Sequence, residues 1–205
     1  MKKLLVVIIV LLASITLSND AKAECPTWGG WNGPSTTSIV LSPTCRMEIE
    51  YCWRLDGTDR DVYFGEVRLI GDCDWYQIDF DNNPSKYFQA AWENIAFIED
   101  PWQVSNEIPM CPEQSSRYYK SGKSACYTEK WIIIWIPDDP HTGVLGHFER
   151  IKKPCSLIKE FSCWKYYTAC WYYDKTTGTY KVKNTLFNSE IPSLKCSDGC
   201  HGVCE

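Results

Sequence analysis

The clearest pattern in the chain runs from Cys45 to Trp53. Met47, Ile49, Tyr51 and Trp53 alternate there with Arg46, Glu48 and Glu50. A period of two predicts a strand with one buried and one wet face. Asp56-Gly57 marks a turn, and Val62 to Ile70 predicts a second strand antiparallel to the first. Thr37 to Leu41 predicts a short strand before this pair. The period then changes. Tyr87, Phe88, Ala91, Trp92, Ile95 and Ala96 recur at spacings of three and four. That spacing predicts one amphipathic helix over about 84–99. Asn83 suits its N-cap, Pro84 its first helical position and Pro101 its stop.

Beyond Pro109-Met110-Cys111-Pro112 the strand pattern returns. Ala125 to Ile136 becomes apolar on both faces, which predicts a central, doubly covered strand. A turn at Pro137–Gly143 should lead to a return strand over Val144–Ile151. Phe161–Tyr173 and Thr179–Phe187 predict a hairpin around Asp174–Gly178. The expected fold class is α+β, predominantly antiparallel β with the one helix. Its two β-rich halves, 24–109 and 110–205, either stand apart or join in one domain.

The first 23 residues follow another logic. Lys2 and Lys3 precede an unbroken apolar run from Leu4 to Ala13, and Ala21-Lys22-Ala23 closes the segment. This is the layout of a cleaved secretory signal peptide, 1–23. The run is shorter than the roughly 20 residues a bilayer span requires. The expected destination is therefore the periplasm or the extracellular space, with no membrane attachment after cleavage. The whole chain carries a net charge of −5, and the segment holds three lysines against one aspartate, so cleavage makes it more acidic. No basic run offers a footprint for phosphates, which argues against nucleic acid as a partner.

Export changes the meaning of the cysteines. All 12 follow Ala23: Cys25, Cys45, Cys52, Cys73, Cys111, Cys126, Cys155, Cys163, Cys170, Cys196, Cys200 and Cys204. An even number in an oxidising compartment predicts disulfides. Cys45-x6-Cys52-Trp53-x2-Asp56 repeats as Cys163-x6-Cys170-Trp171-x2-Asp174. Residues seven apart on an extended strand lie roughly 23 Å from each other and on opposite faces. A disulfide requires Cα atoms within about 7 Å. Cys45 should therefore not bond Cys52, nor Cys163 bond Cys170, and each such strand should be tied to a different neighbour on each side.

The last ten residues hold Cys196, Cys200, His201 and Cys204. This cluster resembles a haem-attachment or zinc set in outline, but C-x3-C-H is one residue longer than the haem signature. Zinc needs thiolates, which an oxidising compartment removes. Structural disulfides are the expected role, with at least one bond leaving the tail because three is odd. No cofactor is expected. Asp79, Asp81 and Asn83 have the spacing that opens a calcium loop, yet Pro84 and Ala90 occupy the positions where such a loop needs glycine and glutamate. Gly122-Lys123-Ser124 is preceded by Arg117 where a phosphate loop needs glycine, so Ser121–Ser124 reads as a hairpin turn. His141 and His147 lack the surrounding motifs of a hydrolase.

The chain carries 10 Trp, 12 Tyr and 7 Phe. Much of that ring area must be buried to avoid large apolar patches. Trp28 and Trp31, in a glycine-rich stretch, are the candidates for stacking on a ligand, against the alternative that they fold back onto the core. The functional expectation is a secreted, non-enzymatic protein for binding, adhesion or surface structure, with a protein or carbohydrate partner. One alternative is a secreted glycosidase-like hydrolase with two carboxylates in an aromatic cleft. The other is a metal or haem protein built on the tail.

Overall fold

The computed structural model describes residues 24–57, 59–103, 108–113, 118–135, 146–193, 195–202 and 204. The signal segment, His141 and the turn expected at Pro137–Gly143 lie outside them. The fold is mostly β: among the described residues nine strands form a single sheet, and six disulfides tie it together.

Three antiparallel strands open the fold: β1 (Asn32–Ser42), β2 (Cys45–Asp56) and β3 (Asp59–Gly71). The alternation read in the sequence decides their faces. Met47, Ile49 and Tyr51 of β2 are buried, while Arg46 is exposed. Both edges of β3 are used. One pairs with β2 throughout. The other is shared by two strands, β4 (Tyr119–Ser124), parallel to Arg60–Phe64, and β6 (Gly146–Pro154), antiparallel to Val67–Leu69. Between the two lie Gly65 and Glu66, where the β2–β3 register shifts. Two residues there face one across the ladder, which is the geometry of a β-bulge. The sheet forks at this bulge.

One branch continues through β7 (Ser162–Asp174) to β8 (Thr179–Glu190), the expected hairpin. The other continues from β6 to β5 (Cys126–Trp135) and ends on the two-residue β9 (His201–Gly202). The strand expected to be central thus lies next to the end of its branch. Its long apolar run gave no information on how many strands lay beyond it. Ser121–Ser124 forms the last four residues of β4, not a turn. The reason lies across the sheet. A side chain at Gly122 would meet the Trp164 ring at 2.6 Å, so the glycine makes room for an aromatic neighbour on β7.

The expected single helix is corrected to two. Helix α1 (Asp74–Asn82) precedes helix α2 (Pro84–Asn94), which runs on into a π-helical turn at Ile95–Glu99. Tyr87, Phe88, Ala91, Trp92, Ile95 and Ala96 are all buried, as their spacing required. In α1 only Phe80 is buried, while Trp75 and Ile78 face outward. With its apolar residues on more than one side, α1 has no stripe for a periodicity search to find. Asn83 and Pro84 do occupy the N-cap and first positions of α2. The Asn83 amide, however, donates to Asp79 Oδ1 at 2.9 Å instead of capping the helix.

The path β1-β2-β3-β4-β7-β8 curls around α2. Asn94 of the helix donates to Thr37 Oγ1 of β1 at 2.8 Å, and Glu93 accepts from Asn184 of β8 at 2.6 Å. A helix end can reach both outer strands of a six-strand path only if that path bends toward closure. The core fills the concave side. Trp92 is fully buried and stacks on Tyr167 of β7, with centroids 4.3 Å apart.

The pairing is Cys25–Cys52, Cys45–Cys73, Cys111–Cys170, Cys126–Cys196, Cys155–Cys200 and Cys163–Cys204. Cys45 and Cys52 bond different segments, and so do Cys163 and Cys170, as the strand geometry required.

Candidate functional site

The curl leaves a gap between β1 and β8, and α2 with its π-helical turn forms the floor of that gap. The resulting cleft has a volume of ≈ 620 Å³. Its apolar walls come from Ile39 and Val40 of β1, Phe97 and Ile98 of the π turn, and Trp171 and Tyr180 of the β7–β8 hairpin. Val40 and Ile98 are each 76% exposed and Tyr180 62%, so this apolar surface is open to solvent. Concave, aromatic surface with a few polar groups is the usual composition of a binding site.

The polar groups of the cleft are held by neighbours. Glu93 accepts from Gln89 at 2.9 Å as well as from Asn184. Lys181 donates to Asp174 at 2.5 Å, and that bond holds the Asp174 carboxyl well below the usual carboxylate range. Beneath the wall, Tyr51 donates to Glu99 Oε2 at 2.5 Å, and Asn94 donates to Glu99 Oε1 at 3.0 Å. Burial, followed by the Glu99 bond, pushes the Tyr51 phenol well above its ordinary range. The π turn is thereby fixed to β2. Among the described residues lining the cleft, Glu93 is the single carboxylate. The paired acids that glycoside hydrolysis uses are not brought together there.

Trp28 and Trp31 lie on the opposite, outer face. Tyr63, Gly122 and Trp164 occupy one row across β3, β4 and β7. The two N-terminal tryptophans fold onto that row. All four rings lie within 6.3 Å of one another, and Trp31 stacks on Trp164 at an interplanar angle of 18°. Arg54 covers Trp31, its guanidinium carbon 4.5 Å from the ring centroid, and donates to the Gly29 carbonyl at 2.8 Å. Trp28 Nε1 donates to the Leu157 carbonyl at 2.6 Å. Both tryptophans are half-buried. With the Cys25–Cys52 disulfide, these contacts fasten the N-terminal segment to the sheet.

Asp79 and Asn83 stay together, while Asp81 points elsewhere. Asp79 accepts from Tyr87 at 2.6 Å, Lys86 at 2.9 Å and Asn83 at 2.9 Å. The Tyr87 bond, then Lys86 and Asn83, hold its carboxyl down at about 2. Asp81 pairs instead with Lys152 of β6. The three residues tie α1 to α2 and to the sheet. In the tail, Cys196, Cys200 and Cys204 are all disulfide-bonded, so none offers a thiolate to zinc or a thiol to haem. His201 is exposed on β9 opposite Tyr127. The tail has little apolar cover of its own: its small buried cluster consists of Ala125, Cys126 and Cys163 with Cys155, Cys196, Cys200 and Cys204 packed against them.

No residue of the cleft was singled out as a ligand contact by sequence. Its walls come from β1 and β8, which are far apart in the chain, and only the curl of the sheet brings them together. Trp171 carried the one signal, as the tryptophan shared by the two Cys-x6-Cys-Trp segments. Compared with protein-family models, characterised proteins and solved structures, the chain matches none of them.

Proposed function

We propose that this is an exported, disulfide-stabilised binding protein, and that it takes an extended peptide segment of a partner protein along β1, over the β1–β8 cleft. The observation that carries this reading is the free edge of β1. Among the described residues it pairs with β2 alone, on one side. Beyond Pro34, from Ser35 to Ser42, it contains neither charge nor proline, while Thr36, Thr37, Ile39 and Val40 favour extended backbone. Sheet edges left open are normally blunted by charge, proline or a covering element. The edge across the cleft, β8, follows that rule with Lys181 and Lys183. An uncharged edge beside an aromatic cleft suits β-augmentation, in which backbone bonds supply affinity and pockets read alternate side chains. The preferred segment alternates apolar and neutral polar residues, because Glu93 and Lys181 are already paired.

The test is to select displayed peptides on the exported protein, then measure their binding to single variants. Val40→Lys and Trp171→Ala should each weaken the selected peptides about tenfold or more, the scale of a 1.4 kcal/mol loss. Trp28→Ala and Trp31→Ala should leave them unchanged. Binding that survives Val40→Lys and Trp171→Ala but falls with the Trp28 and Trp31 variants would move the site to the outer face. N-terminal sequencing of the same material should begin at Glu24, and a retained Met1 would contradict export by cleavage.

A further inference from the structure

A second recess lies on the helix-covered face of the sheet, at the start of α2, and it is independent of the cleft. Phe64, Lys123 and Cys163 form one row across β3, β4 and β7. Phe88 of α2 closes over this row, with Lys123 Nζ 4.1 Å from its ring centroid. Lys123 is 6% exposed, and its Nζ makes no hydrogen bond. Most buried polar groups are paired, so an amine left this way marks a place where a partner is missing. Lys165 lines the same recess and donates to Ser85 Oγ at 3.0 Å. The first turn of α2 holds no acidic residue. Glu190, at the rim, is engaged by the Tyr166 hydroxyl at 2.8 Å.

We infer that this recess binds a small oxyanion, a carboxylate or phosphate group, between Lys123 and Lys165 at the positive end of α2. Helix N-termini favour anions through their unpaired N–H groups and dipole, and the two amines add positive charge in their protonated forms. The Ser85 and Ser121 hydroxyls complete a polar lining. The central free volume of ≈ 20 Å³ admits one small group, not a drug-sized molecule.

The protonation of the site supports the same ligand. Burial, then the charge of Lys165, push the Lys123 amine down to about 7. Burial also lowers Lys165. Facing Lys123 from β7 are Lys165 and Tyr167, the latter raised to about 12 by burial and so neutral, and from β8 comes Glu190. Helix α2 contributes Ser85, Phe88 and Gln89, and β3 contributes Phe64, none of which titrates. An anion restores the charged form of Lys123, so binding takes up a proton near neutral pH and weakens as pH rises.

The experiment follows the Lys123 ε-carbon by NMR in full-length exported protein labelled with 13C-lysine, the signal being assigned by its loss in Lys123→Met. Sodium acetate or sodium phosphate is titrated at constant ionic strength with chloride. The midpoint should start near neutral pH and rise by about one unit or more with at least one probe. At pH 6 the response should saturate, and Lys165→Met should weaken it about tenfold. A response to acetate alone assigns a carboxylate site, and a response to phosphate alone a phosphate site. A midpoint that neither probe moves, or that moves equally in Lys165→Met, overturns the proposal. Lys123→Met removes a buried charge and should fold at least as firmly as the parent. Its melting temperature should not respond to either anion at pH 6, whereas that of the parent should rise.

Discussion

At Gly122 the absence of a side chain lets Tyr63 and Trp164 meet over β4, their centroids 6.0 Å apart. Gly122→Val would place new carbons against the Trp164 ring. Overpacking of this kind costs about 1–3 kcal/mol, which denaturant unfolding should read as a lower midpoint with an unchanged slope. The neighbouring Lys123 sets a pH dependence of its own. Its folded value of about 7 lies below its ordinary 10.5. Between these values the unfolded chain holds the proton that the folded one has released, so stability from this group rises with pH across that window and is lost as pH falls through 7. Lys123→Met should flatten that rise in anion-free buffer, and an unchanged slope would mean that Lys123 keeps an ordinary affinity for its proton. Neither residue was legible beforehand. Gly-Lys-Ser was read through turn chemistry, because the partner that explains the glycine is Trp164, 42 positions further along the chain.

Elements were legible where burial followed one period. β2 and α2 bury a face that repeats every two residues or every three to four, whereas β3, buried on both faces from Arg60 to Val67, was legible from the turn at Asp56-Gly57 before it. α1 failed that test, and its tryptophan should behave accordingly. Trp75 is exposed and Trp92 is wholly enclosed. Trp92→Ala should cost about 3–5 kcal/mol, while Trp75→Ala should stay within about 0.5 kcal/mol. Equal losses in chemical denaturation would mean that α1 packs through more than Phe80 and Tyr76. β1 was seen only from Thr37, because Gly33-Pro34 resembles a break, yet the strand extends back to Asn32. The cleft escaped altogether, since it belongs to the curl of the sheet and not to any single element.

For the molecule as a whole, the disulfides divide into two groups. Cys25–Cys52, Cys45–Cys73 and Cys111–Cys170 fasten loops and helix starts to β2 and β7. The other three carry the tail across β5, β6 and β7. Mass mapping of unreduced digests should find the tail peptide joined to three separate peptides, those of Cys126, Cys155 and Cys163. A bond within the tail would contradict the fold. Replacing both Cys163 and Cys204 by serine should cost about 2–5 kcal/mol. The fraying C-terminal residues, with little apolar area to hold them, should then become the first site of proteolysis.

The connectivity also sets an order in time. Cys126, Cys155 and Cys163 all precede the residues that complete them, and under the proposed export a chain translocated from its N-terminus would expose these three thiols before Cys196 arrives. During that interval they can pair only with the wrong partners or with an oxidoreductase. Correct oxidation of both branches of the sheet would then wait for Cys196, Cys200 and Cys204. A product truncated before Cys196 would carry three reactive thiols, a chemical mark by which an incomplete molecule is told from a finished one.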